Sequence, residues 1–426
     1  MSICDFSGRE RSDACPGALQ VHEAIDGPLA RVRLPGGAVS PVQLCELATC
    51  AAELGSGVIE LTSRANVQVR GLRSPAAFAE RMAAAGLLPS AAHERVRNIV
   101  ASPLGGRGHA GLLATQPLVE ALDRELCARP RLAGLPGRFL FALDDGTGDV
   151  AGLGADVTFA AEHRTGARLL LAGSDSGLTT HPESAASLMI AAADAFLDER
   201  AAQAEAGGTA AVGGTGAASR GAWRIRELEN GPARIAARLD GAMAGLRAST
   251  ASGFSGSSGF SGSSGFSGSS GFEVRRPRGV RRAERHAQRD GRVAIEALVP
   301  LGRLSAAQAR TLADIGDHIR LTPWRTAVLP DLSPAEADRA AEALDVAGLV
   351  TDPDSPWAGV TACTGRPGCA KSLADVQADA RRWVAALDGA RDTPVHWAGC
   401  ARRCGLPPGR VVQMIATTDG YQERQQ

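Results

Sequence analysis

Aromatic residues make up only 4% of this 426-residue chain, so its cores must be built largely of alanine, leucine and valine. No run of eighteen apolar residues occurs, and the opening stretch MSICDFSGRERSD has neither a basic n-region nor an apolar h-region. No membrane span and no secretory leader are therefore expected, and a cytoplasmic location is. Charge of one sign is also missing: Lys plus Arg and Asp plus Glu both number 46, and nothing global points to nucleic acid or an anionic membrane as partner. There is no dinucleotide fingerprint. The GGTGAA within Ala206 to Gly221 has no strand leading into it and no long helix after it, so it reads as a loop and not a phosphate cradle. The nine cysteines are an odd count without framework spacing, which argues for reduced thiols over disulfides.

Four of those cysteines are grouped. Cys363 and Cys369 lie in TACTGRPGCAKS, and Cys400 and Cys404 lie in HWAGCARRCGLPPG. Thiolates are soft anionic ligands for zinc or iron, and four converging on one point complete a Cys₄ site. Five residues between the first pair is long for a zinc knuckle, whereas a cubane cluster has corners far enough apart to accept such a loop. Gly365, Pro367 and Gly368 let the backbone bend closely around an inorganic core, so the spacing favours an iron–sulfur cluster over zinc. Apolar residues from Leu373 to Leu387 recur at helical spacing, which predicts Cys369 at a helix N-terminus, and VVQMIAT (Val411 to Thr417) reads as a closing strand. Cys4, Cys15, Cys45, Cys50 and Cys127 read as ordinary thiols.

Upstream, PLARVRLP reads as a strand and Pro41 to Leu54 as a helix with Ser40 before its first-turn proline. In Gly57 to Leu72, Thr62, Arg64, Asn66, Gln68 and Arg70 share one parity, which predicts an extended segment presenting guanidinium and amide groups along one face. GFSGSS repeats three times from Gly253 to Ser270 and reads as a linker, followed by a basic run, Arg275 to Arg285, that is either a solvated surface or an attractor for a polycarboxylate. Beyond it, Val293 to Leu332 repeats the strand, turn, helix, strand order of Pro28 to Leu72, with Ile59, Leu61 and Thr62 opposite Ile319, Leu321 and Thr322. An internal duplication is expected.

The Cys-x5-Cys and Cys-x3-Cys pairs, some thirty residues apart, resemble the cluster signature of the siroheme sulfite and nitrite reductase superfamily. The resemblance implies an α+β fold in which two ferredoxin-like half domains are each followed by a larger α+β domain. The corresponding boundaries are 1–90, 91–250 without a cluster, a linker and basic segment at 251–289, 290–355, and a cluster domain at 356–426. It further implies that Cys363, Cys369, Cys400 and Cys404 hold a [4Fe–4S] cluster. Arg64 matches the arginine of the reductases' LTTR-type strand, and Arg97 the arginine–asparagine segment that follows. Arg138 matches the first of two alternating lysines, and Leu140 stands at the second, where it supplies neither charge nor proton.

RLTPWR (Arg320 to Arg325), PGCAKS and HWAGCARRC are similar to one branch of that superfamily, the precorrin-3B synthases. That likeness implies a tetrapyrrole substrate, precorrin-3A, which is hydroxylated with O₂ as a γ-lactone closes in aerobic cobalamin synthesis. Arg64, Arg70, Arg97 and Arg138 become the candidates for holding its carboxylates. Electrons would come from a separate NADH-linked donor. The branch also implies a mononuclear non-haem iron, for which the eight histidines form no two-His-one-carboxylate set; His396 reads as a structural hydrogen-bonding partner. Siroheme enters only under the alternative of a sulfite or nitrite reductase, and a non-catalytic zinc-binding module is a third reading. No catalytic residue is assigned.

Overall fold

Strand exchange between the duplicated halves organises the molecule. A computed structural model describes residues 13, 15–208, 221–251, 280–407 and 409–425; the GFSGSS repeats, most of the GGTGAA region and Arg275 to Arg278 lie outside them. The first half-domain sheet has the order Ala30–Val32, Val67–Val69, Val58–Leu61 and then Arg303–Ser305 from the second half. The second sheet contains Glu284–Ala287, Val293–Leu298, Thr326–Leu332 and Ile319–Leu321, and ends in Ala38–Val39 from the first half. Leu304 therefore pairs with Ile59, and Ile319 with Val39. Behind the sheets the Pro41–Leu54 and Ala306–Ile315 helices pack together, and Leu44, Leu47, Ala48, Leu312 and Ala313 belong to one apolar core shared by both halves.

Local chemistry places these helices. Ser40 caps the first with a capping box completed by Gln43, and Ser305 with Gln308 does the same for the second. Each box satisfies two backbone donors that the first turn leaves unpaired.

Each half is followed by a larger unit of the same plan. The first sheet runs Ile99–Ala101, Phe141–Asp144, Val157–His163, Gly166–Leu171 and Ser174–Thr180; the second runs Val360–Ala362, Val395–Ala398, Val412–Thr417 and Gly420–Gln425. In both, the first three strands are parallel and the next turns back antiparallel. Helices Gln116–Cys127, Ala185–Gly208 and Gly231–Ala251 accompany the first sheet, and its core includes Phe139, Phe141, Phe159 and Phe196. The second has the Val376–Val384 helix and a smaller core around Trp397. Among the described residues no helix is long and apolar enough to cross a membrane.

Two local expectations are corrected. Gly57 to Leu72 is a hairpin and not one extended segment: strands Val58–Leu61 and Val67–Val69 flank a tight turn in which Ala65 takes φ 56°. The parity of polar residues ran through the turn. Cys369 is not at a helix N-terminus, because the helix begins at Val376 with the Asp375 side chain accepting from Ala378 N–H. Leu373, counted in the helical pattern, is exposed. The basic run is explained in its described part by ion pairs: Arg281 with Glu296, Arg282 with Asp354 and Arg285 with Asp338.

Candidate active site and metal centre

The four cysteines sit at one edge of the second large sheet. Val360–Ala362 and Val395–Ala398 are parallel neighbours, so the loops after them, carrying Cys363–Cys369 and Cys400–Cys404, leave from the same C-terminal edge. This edge is where open parallel sheets place ligands. Cys363 N–H donates to the Trp397 carbonyl at 2.9 Å, and Gly399 N–H donates to Cys363 Sγ at 3.2 Å. Burial pushes the Cys363 thiol up from its ordinary pKa, while the Gly399 and Gly365 amides pull it back. Cys363, Cys369 and Cys400 are half-buried and Cys404 is exposed.

Four thiols at one sheet edge, one of them accepting a backbone N–H, are a donor set that an iron–sulfur cluster could take. Tetrahedral zinc with bonds of about 2.3 Å brings its sulfurs within about 4 Å of one another. Among the described residues no three cysteine sulfurs lie within 4.8 Å of one another. Cys369 and Cys404 lie near enough to Cys363 for their charges to act on it.

The arginines divide into two groups. Arg64, in the hairpin turn, donates to the Gly137 carbonyl at 3.2 Å, and burial beside Arg224 and Arg31 pushes its pKa down to about 10. Arg138 is exposed, 5.1 Å over the Trp223 ring, and its charge acts on Arg31. Arg224 is held by Asp156 at 2.6 Å. Arg31, Arg64 and Arg138 thus lie near Cys15, whose pKa burial raises, and Arg224 lies near Arg64. Arg33, fully buried, donates to the Arg95 and Pro16 carbonyls, and burial lowers its pKa to about 9. The sequence reading missed Arg31, Arg33 and Arg224; the alternation in ARVRL, with Ala30, Val32 and Leu34 buried, carried a signal for the first two.

Arg97 and Arg70 are committed elsewhere. The Nε and Nη2 edge of Arg97 closes on Asp123, at 2.7 and 2.6 Å, and Nη1 donates to the Leu87 carbonyl. It is buried and has no guanidinium edge left for a substrate, so its assignment as a carboxylate holder is withdrawn. Arg70 binds Asp26 at 2.8 and 2.9 Å and donates to the Gly368 carbonyl at 2.8 Å, next to Cys369. It braces the Cys363–Cys369 loop instead of the arginine group.

Leu140 is buried with Ala65, Val100, Ala142, Val150 and Ala155 in an apolar cluster. A cation could not be projected from this position without leaving that packing. His396 is fully buried with Nδ1 2.9 Å from Thr361 Oγ1, and burial together with the Arg325 charge lowers its pKa to about 4. Elsewhere, Asp144, Asp145 and Asp149 have carboxylate oxygens within 4.8 Å of one another, without a histidine. Asp144 accepts the Gly146, Gly148, Val150 and Ala151 N–H groups, and Ser102 Oγ donates to Asp149 at 2.6 Å, so these acids build their own loop.

Comparison with known proteins bears on the fold. The nitrite/sulfite reductase ferredoxin-like half domain matches residues 22–77 and 286–347. The Mycobacterium tuberculosis NirA protein superposes with a TM-score of 0.64 at 21% identity, over 93% of this chain and 73% of that one. The fold is that of the nitrite and sulfite reductases. Among curated proteins the chain is 26% identical over 401 residues to the ferredoxin–nitrite reductase of Synechococcus elongatus, covering 89% of this chain and 74% of the relative. It is also 26% identical over 424 residues to the precorrin-3B synthase of a Sinorhizobium species, covering 96% and 82%. These relatives are oxidoreductases, and the chain resembles both equally in identity.

Proposed function

We propose that the chain is an O₂-dependent oxygenase of precorrin-3B synthase type, acting on precorrin-3A in aerobic cobalamin synthesis. The observation that carries the reading is the pairing of the arginine group with an apolar Leu140. Reducing sulfite or nitrite calls for several cations around a small anion, to stabilise charge and deliver protons. This chain has a single lysine, Lys371, and leucine packed into a core at the second lysine position. Guanidinium forks suit the acetate and propionate fringe of a tetrapyrrole, which they grip bidentately.

Arg64 and Arg138 bind substrate carboxylates and so fix which face of the macrocycle meets O₂, with the charges of Arg31 and Arg224 acting on Arg64. Arg97 is a structural residue held by Asp123, and Arg70 braces the Cys363–Cys369 loop through Gly368. Cys363, Cys369, Cys400 and Cys404 hold a [4Fe–4S] cluster, which supplies single electrons when bound. The hydroxylation balances with one oxygen atom entering the substrate, the other leaving as water, and two electrons with two protons from a separate NADH-linked donor. A mononuclear iron remains without a ligand set, since no histidine joins a close donor group among the described residues.

The second reading, a siroheme-dependent nitrite or sulfite reductase, has the Synechococcus relative in its favour. Incubation of the anaerobically purified protein with precorrin-3A, reductant and isotopically labelled O₂ separates the two. A product heavier by one labelled oxygen is expected; nitrite or sulfite consumption without labelled product would overturn the oxygenase reading.

A further inference from the structure

The two large units correspond position by position. Ser102 N–H donates to the Leu143 carbonyl at 3.0 Å as Cys363 N–H donates to that of Trp397. Asp145 N–H donates to Ser102 Oγ at 3.1 Å as Gly399 N–H donates to Cys363 Sγ at 3.2 Å. Val100 pairs with Ala142 as Thr361 pairs with His396. Loops of equal length then carry the chain to Val150 in one unit and to Cys404 in the other.

The half domains keep the same correspondence. The Thr62–Asn66 turn has its counterpart in Thr322–Thr326, with the same backbone bonds, and Ala65 (φ 56°) corresponds to Arg325 (φ 64°). Gly37 and Gly302, both at φ 68°, lie against these residues: a Cβ on either would sit 3.2 Å from the Cβ of Ala65 or Arg325.

In the first half, Ala65, Val100, Ala142 and Val150 are members of one apolar cluster. In the second, the same four positions are Arg325, Thr361, His396 and Cys404. An apolar contact has become a polar one beside a cysteine. A Cβ on Gly405 would lie 3.2 Å from Arg325 Nη2 and 3.9 Å from His396 Cε1, which puts the guanidinium against the backbone that follows Cys404. Among the described residues the Arg325 guanidinium has no hydrogen-bond or ion-pair partner; Glu60 is the acid whose charge reaches it.

We propose that Arg325, backed by the His396–Thr361 pair, is a positioning residue for the Cys404 corner of the cluster and stabilises the cluster's reduced state. This rests on the cluster reading above. Reduction adds one electron, taken from dithionite in the test below, and carries a [4Fe–4S] centre with four thiolates from a net charge of about 2− to about 3−. A fixed cation in a half-buried setting favours the more negative form.

The test is an EPR-monitored redox titration of the full chain, with iron and sulfide assayed on each sample. Arg325→Gln is expected to retain its iron and sulfide and to be reduced about tenfold less readily, a potential about 59 mV lower for one electron. Arg325→Lys keeps the charge and stays within about threefold of the parent. An unchanged potential in Arg325→Gln, or an equal loss in Arg325→Lys, overturns the charge argument. Should Arg325→Gln fail to assemble a cluster, the uncharged Arg325→Met decides: a lowered potential is expected, and an unchanged one overturns the proposal. Parent protein without sulfide would refute the cluster reading itself, before any variant is made.

Discussion

At the residue scale, arginines that look alike in the sequence separate by their partners. Arg64 and Arg97 both resemble carboxylate holders, yet the Arg97 fork is closed on Asp123 while Arg64 makes one hydrogen bond to a carbonyl. Arg64→Ala is expected to weaken tetrapyrrole binding by about tenfold to a hundredfold, the worth of one charge-assisted bond, with little change in melting temperature. Arg97→Ala leaves the half-buried Asp123 carboxylate unpaired and is expected to cost about 1–3 kcal/mol in chemical denaturation, with binding affected only through stability. This division was not legible in the sequence, since Asp123 is distant from Arg97 in the chain and no local pattern links them. Asp149 adds a pH dependence. Burial, together with Asp144, raises its pKa from 3.8 to about 7. Between those values the folded protein holds a proton that the unfolded chain has released, so stability falls as pH rises from about 4 to about 7. Melting curves across that range should show a flatter pH profile for Asp149→Asn than for the parent.

At the element scale, the sequence was readable where local chemistry decides the conformation. The Pro41–Leu54 helix appears with the bounds that Ser40 and its first-turn proline mark. Val412–Thr417 is likewise a strand within the stretch read as one, Val411 to Thr417. Reading failed where periodicity continued through a turn, as at Thr62–Asn66, and where exposed Leu373 lent a helical pattern to loop residues before the Asp375 cap. Positive φ at a non-glycine residue such as Ala65 has no sequence marker. Ser40→Ala and Ser305→Ala are each expected to lower stability by about 1 kcal/mol in urea titrations, since both remove the acceptor of a capping box. A neutral outcome at both would mean that packing between the two helices, and not capping, sets their starts.

At the scale of the whole molecule, the duplication visible in the sequence became an exchange of strands, which the sequence did not reveal because pairing partners lie far apart along the chain. Ala38–Val39 completes the second half-domain sheet and Arg303–Ser305 the first. Cleavage at a protease site placed within the GFSGSS repeats is therefore expected to leave two fragments that co-elute on gel filtration and melt together; fragments that separate without denaturant would contradict the interlocking. The same architecture sets the cysteine loops beside the half domains, through Arg70 to Gly368 and Arg325 to Gly405. A nitrite/sulfite reductase fold carrying a cluster without siroheme is what we propose for this chain. The measurement that tests it most directly is the absorption spectrum of anaerobically purified protein, with iron, sulfide and extractable tetrapyrrole quantified on the same sample. A broad cluster band with iron and sulfide in equal amounts and no siroheme is predicted. A strong Soret band with extractable siroheme would contradict the account and make nitrite and sulfite the substrates.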